Sequence, residues 1–135
     1  MKKLILGWIF AITLCGAAEA QVLEAAEKSV AFKQYLIRPH TELSKLIYLL
    51  DRFNVPGVEM RVDGNVYSAD KAFPYSKSYL AQNYKKEKAE VWIRAHCYRS
   101  RERNEIIYMR LDKENFKPAR DILIEELSRL RAPGK

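Results

Sequence analysis

The sequence predicts an α+β fold, with a small, mostly antiparallel sheet of one hairpin and one later strand packed against three to four amphipathic helices. Three observations carry this expectation. Val58-Glu59-Met60-Arg61-Val62 alternates apolar and polar residues, the period of a half-buried strand, and Asn65-Val66-Tyr67 returns after Asp63-Gly64. Asp-Gly tolerates positive φ at both positions, the strongest short-range signal for a two-residue hairpin. On either side of the hairpin, apolar residues recur at helical rather than strand spacing. The resulting order is helix, hairpin, helix, helix, strand, helix, in which the helices cover one face of a short sheet.

Taken in order, the chain begins with Lys2 and Lys3, an apolar run over residues 4–14, and Ala18-Glu19-Ala20. That pattern is a secretory signal peptide with a small-x-small cleavage site, and it predicts cleavage between Ala20 and Gln21. The run is short for a bilayer span of roughly 20 residues, which disfavours an uncleaved anchor. Leu14 before Cys15 is a poor match to a lipidation signal. Residues 1–20 are read as a signal peptide, 21–40 as an N-terminal segment, and 41–131 as a single α+β domain. Removing Lys2, Lys3 and Glu19 from the 24 basic and 17 acidic side chains leaves 22 and 16, a net charge of +6. This permits contact with anionic surfaces. No later stretch is long and apolar enough to span a membrane. After cleavage Cys97 is the one thiol left, so no intramolecular disulfide is expected, and burial as a small hydrophobe is preferred.

Residues 21–28 favour a short helix, and 29–38 are ambiguous, because Val30, Phe32 and Leu36 suit a strand and Lys33 and Gln34 a helix. Thr41 caps the clearest helix, whose Leu43, Leu46, Ile47, Leu50 and Phe53 form one apolar face, ended by Asn54-Val55-Pro56-Gly57. Ser68 is the expected N-cap of a helix running to about Tyr84, with Pro74 bound to kink it or delay its start. Ala89, Trp92, Ile93 and His96 share the face of the next helix. Residues 106–111 (IIYMRL) are β-branched and aromatic, hence a strand, and Asp112-Lys113-Glu114-Asn115 turns the chain. Pro118 suits a first helical position; Ala119, Ile122, Leu123, Leu127 and Leu130 then face inward, with Glu125 and Arg129 paired outside.

Arg61, Asp63-Gly64, Tyr67, Ala72, Trp92-Ile93, Tyr108, Pro118 and Leu127 together resemble a family of small exported bacterial proteins of unknown function, over about residues 43–130. The family pattern is an Arg-Asn-Gly-type turn followed by Tyr, an alanine-containing helix, an apolar-Ile pair, a Tyr-containing strand and a closing amphipathic helix. Val62 separates Arg61 from the turn, Tyr75-Ser76 stands where the pattern has His-Leu, and no glycine precedes Ile106. The resemblance implies export and fold, and no chemistry.

Candidate chemistry is sparse. Ser68-Ala69-Asp70-Lys71 is an S-x-x-K, the spacing that places a lysine one turn from a nucleophilic serine in envelope acyltransferases. The partner motifs are missing, and Ser68 has its capping role. His96 and Cys97 are helix neighbours about 100° apart, so they cannot form a nucleophile-base pair; Cys97 with His40 requires a tertiary approach. Two histidines and one mature cysteine without C-x-x-C or H-x-x-x-H spacing give no metal site, and three scattered mature glycines give no phosphate loop. No catalytic, metal or cofactor-binding residue is therefore assigned, and no cofactor is implied.

Arginine beside tyrosine is the one theme that remains. Tyr98, Arg99, Arg101 and Arg103 precede the late strand, and an extended loop would project the three guanidinium groups to one side. Arginine binds carboxylate or phosphate bidentately. These four residues are the candidate anion-binding site. The expected protein is a non-catalytic periplasmic or secreted binding or accessory module whose partner is an anionic envelope ligand or another protein. Nucleic acid is not expected for an exported chain. The alternatives are a small envelope hydrolase using Ser68 with Lys71 or Cys97 with His40, and a structural partner of an envelope assembly.

Overall fold

The computed structural model describes residues 23–131; the signal-peptide assignment and the Ala20–Gln21 junction lie outside them. A 3-10 turn at Ala26–Lys28 leads into α1 (Val30–Leu36), α2 (Glu42–Phe53), the strands β1 (Val58–Val62) and β2 (Asn65–Ser68), α3 (Ala69–Asn83), α4 (Ala89–His96), β3 (Tyr108–Leu111), β4 (Lys117–Pro118) and α5 (Ala119–Arg131). The four strands form one antiparallel sheet in the order β2-β1-β3-β4. The fold is α+β, as the sequence pattern predicts, with a two-residue fourth strand that no periodicity could announce.

The hairpin forms where expected. Asp63 and Gly64 take φ of 53° and 85°, the paired positive values of a type I′ turn. Val62 then pairs with Asn65, Arg61 with Val66, and Met60 with Tyr67. A two-residue turn makes Val62–Asn65 the hydrogen-bonded pair, so the Val66 N–H and C=O point away from β1, off the sheet's edge. β2 is exposed along its whole length and carries no charged residue. The opposite edge differs: β4 is two residues long, with a lysine and a proline. The Ala119 N–H donates to the Ile107 carbonyl, so by alternation the Pro118 nitrogen, which lacks a proton, faces outward.

Val58, Met60 and Met109 point into the core, together with Phe53 of α2, Phe73 of α3, Trp92 and Ile93 of α4, and Leu123 and Leu127 of α5. Within the ambiguous stretch 29–38 the chain forms the helix α1 (Val30–Leu36). Ser29 caps it by accepting from the Phe32 N–H, and Ala31 and Tyr35 join the same core. α2 is the central helix and touches α1, α3, α4 and α5. Its buried surface is therefore wider than one apolar stripe, and Ser44, Tyr48, Leu49 and Arg52 are buried beside Leu46 and Phe53. Thr41 caps it in a reciprocal box with Ser44. Lys88, at the N-cap of α4, supplies no side-chain cap; Glu42 of α2 instead accepts from the Ala89 N–H at 2.7 Å.

Three local expectations shift. Ser68 occupies the N-cap position of α3, but its hydroxyl donates to Asp70 and caps no backbone N–H. Pro74 lies inside α3, and the helix runs through it to Asn83. Pro118 ends β4 instead of opening α5, because pairing with Tyr108 draws it into the sheet.

Candidate functional site

The core-facing residues of β1 and β3 alternate with Glu59, Arg61, Tyr108 and Arg110, which lie on the sheet's other face. Register sets Arg61 directly opposite Tyr108, and Glu59 opposite Arg110. The Arg61 guanidinium carbon sits 4.6 Å from the Tyr108 ring centroid and 4.7 Å from that of Phe116. Arg110 lies 4.6 Å from the Phe116 centroid on its own account, and its Nε donates to Glu59 at 2.8 Å. Arginine stacks on ring faces while its edge donors stay available. Arg110 is neutralised by Glu59. Arg61, by contrast, makes no side-chain hydrogen bond or ion pair among the described residues.

The arginine loop docks onto the hairpin turn. It is not extended: residues 101–103 form a turn, closed by Ser100 N–H to the Glu105 carbonyl at 2.8 Å and Asn104 N–H to the Ser100 carbonyl at 3.1 Å. Asn104 takes a positive φ of 56° to complete it. Ser100 is buried, and its hydroxyl donates to Asp63 Oδ1 at 2.6 Å while accepting from the Arg103 and Glu105 N–H groups. One serine thus fastens the loop to the turn that joins β1 and β2. Between them lies an open cleft of about 400 Å³ lined by Arg61, Gly64, Arg99, Asn104, Glu105 and Tyr108.

The four sequence-predicted residues separate within this frame. Arg99 enters the cleft, with Nη1 donating to the Asn104 carbonyl at 3.0 Å and its guanidinium 5.2 Å from the Tyr98 centroid. Tyr98 also carries Arg120 over its ring at 3.9 Å. Arg101 leans away, over Tyr79 at 5.4 Å. Arg103 is exposed at the turn. The three guanidinium groups therefore do not follow the two-residue alternation of an extended loop. Arg61, Tyr108 and Phe116 join the site from three separate segments. Arg61 carried one visible signal, an arginine on the outward parity of a strand opposite an aromatic-rich strand.

The catalytic alternatives find these positions. Ser68 makes no hydrogen bond to Lys71. His40 stacks on Tyr35 at 4.5 Å with the rings nearly parallel. Cys97 caps the end of α4, where burial pushes its thiol up to about 12, leaving it protonated at neutral pH. Its neighbour His96 stacks on Trp92 at 3.8 Å, and Nδ1 lies 3.0 Å from the Tyr79 hydroxyl. Burial lowers the His96 pKa, with Arg101 and Lys85 adding to the fall and Glu87 opposing it. Among the described residues no cluster of His, Cys, Asp and Glu could hold a metal ion, and no helix is long and apolar enough to cross a membrane.

No protein-family model, curated protein or solved structure matches the chain.

Proposed function

We propose that this protein is an exported, non-catalytic binding module whose Arg61–Arg99 cleft and adjoining arginine loop hold a phosphate- or carboxylate-bearing component of the cell envelope. One observation carries the reading: Arg61 is held between Tyr108 and Phe116 with its donors directed to no acceptor among the described residues. A guanidinium ordered in advance loses little side-chain entropy when it meets an oxyanion, and each charge-assisted hydrogen bond it forms is strong. Arg99 supplies a second cation in the same cleft, Arg101 and Arg103 extend the positive surface, and Glu105 narrows the choice of ligand on one side. The net charge of +6 expected after signal-peptide cleavage favours encounter with anionic surfaces.

The test is co-sedimentation of the purified protein with anionic vesicles and, separately, with phosphate-bearing wall polymer, at low and high salt. Binding is expected to weaken as salt rises, because exposed charges are screened beyond roughly 8–10 Å at physiological ionic strength. Arg61→Gln combined with Arg99→Ser is expected to lose most of it. Equal sedimentation of the variant and the wild type, or none by either, would overturn the reading. A structural-partner role draws support from a different surface: Val30, Leu36 and Ile37 of the α1 region are exposed, Ile37 by 84%.

A further inference from the structure

A second cavity, of about 640 Å³, lies between α1, the C-terminal end of α2 and α3, and shares no lining residue with the Arg61–Arg99 cleft. Three cations from three segments border it: Arg38 after α1, Arg52 of α2 and Lys77 of α3. We propose that this cavity binds a small molecule through an oxyanion, either carboxylate or phosphate, with Arg38 and Arg52 as the principal donors and Lys77 as a supporting charge.

Hydrogen-bonding capacity that the described residues leave unmet carries the proposal. Arg52 is only 7% exposed, yet its side chain makes a single hydrogen bond among the described residues, from Nε to Glu126 Oε2 at 3.1 Å. A guanidinium carries five donors, and neither Arg52 Nη group has an acceptor among the described residues, though both keep some contact with solvent. Arg38 is in a similar position. Its Nη1 is shielded from solvent without any acceptor, while Nη2 reaches Gln34 Oε1 at 3.5 Å and Asp51 Oδ2 at 3.9 Å. Two contacts at the limit of useful length leave this guanidinium free to turn toward a better acceptor. Arg38 Nη1 is therefore a buried, charged donor left unsatisfied, which is costly.

The local charge favours an anion. Asp51 is the half-buried carboxylate on the cavity wall, and Lys77 takes it at 2.9 Å. Glu24 lies at the exposed rim. Glu126 sits behind Arg52 and is already shared with Tyr48 and Arg129. The Ser29 hydroxyl is committed to the Ala26 carbonyl and the Phe32 N–H, so it adds no donor. Arginine with vacant Nη groups matches a planar carboxylate or a phosphate face, and the volume exceeds what a single inorganic ion fills.

The proposal is independent of the envelope-binding reading, and the experiment separates them. Inorganic phosphate and succinate are titrated separately into the purified protein, with chloride adjusted to constant ionic strength, following melting temperature and the arginine Nε–Hε resonances. At least one probe is expected to give a saturable rise in melting temperature and a saturable shift of the Arg52 resonance. Response to phosphate alone would identify a phosphate-bearing ligand, and response to succinate alone a carboxylate. Arg38→Gln should weaken the responding probe by about ten-fold or more, and Lys77→Gln, on an exposed position of α3, should weaken it less. Arg61→Gln and Arg94→Gln should leave the saturable shift of the Arg52 resonance unchanged, whatever they do to the melting temperature. No saturable response to either probe would overturn the proposal, as would equal affinity in the folded Arg38→Gln variant.

Discussion

Glu126 ties α5 to α2 through a buried carboxylate. It is 2% exposed, on a helix otherwise packed by Ala119, Leu123 and Leu127. Oε2 accepts from the Tyr48 hydroxyl at 2.9 Å and from Arg52 Nε at 3.1 Å, and Oε1 accepts from Arg129 Nη1 at 3.1 Å. Burial, and then the Glu126 carboxylate, push the Tyr48 phenol well above its ordinary range, so it remains a donor at any physiological pH. Removing one member of a buried pair leaves the other as an uncompensated charge. Glu126→Leu should therefore destabilise by about 3–5 kcal/mol, measured by urea unfolding, whereas Glu126→Leu with Arg52→Leu should recover part of the loss, the Tyr48 hydroxyl staying without its acceptor. A single variant within about 1 kcal/mol of wild type would contradict this, since it would mean Arg52 is not held by Glu126 alone. Glu126 follows Leu123 by three positions and precedes Leu130 by four, so it falls on the apolar stripe of α5; Arg52 likewise follows Leu49 by three on α2. A charge on an apolar stripe is the signal that announces such a pair.

At the scale of elements, the junction of α3 with α4 is closed by Tyr79, Trp92 and His96, with Glu87, Lys85 and Arg101 as the charged groups acting on the imidazole. Its folded pKa lies below the ordinary 6.5, so between those two values the unfolded chain binds more protons than the folded one. Stability must then rise with pH across that window and fall as the solution is acidified through it. His96→Gln should flatten this part of the stability–pH curve, read from urea midpoints between pH 5 and pH 7.5, about the window set by histidine's usual pKa; identical slopes in both proteins would refute it. The elements legible in the sequence are those whose cause is local. Thr41 with its apolar repeat marked α2, Asp63-Gly64 marked the hairpin, and Trp92-Ile93 marked α4. β4 was hidden because two residues have no period, and Lys117–Pro118 is a strand only through its pairing with Tyr108 and Met109. α1 was hidden because its residues satisfy both periods until Tyr35 and Phe32 meet Tyr48. The candidate site was half legible. The arginine loop stands out in the sequence, but Arg61, Tyr108 and Phe116 meet only once the register of β1 against β3 is known.

At the scale of the whole molecule, the sheet divides two kinds of surface. One face is sealed by helices, and the other presents arginines laid on aromatic rings, continuous with the loop that Ser100 ties to Asp63. The two ends of the sheet are just as unequal. β4 is guarded by its length, its lysine and its outward-facing proline, the devices that keep edges from pairing. β2 has none of these, and it offers the Val66 N–H and C=O to an incoming strand. A particle sticky at both ends polymerises, but one sticky at a single end can only terminate. An antiparallel meeting of two β2 strands, Val66 opposite Val66 about a twofold axis, would use up the open edge of each copy and leave only the guarded ones outside. Concentrated solutions examined by sedimentation velocity should hold monomer and dimer and nothing larger, and Val66→Lys should abolish the dimer. A ladder of higher species would show that β4 is not the barrier its residues make it. The same asymmetry protects the chain against fibril growth through the shortness, the lysine and the proline of β4, since growth by strand addition needs a second edge to continue from.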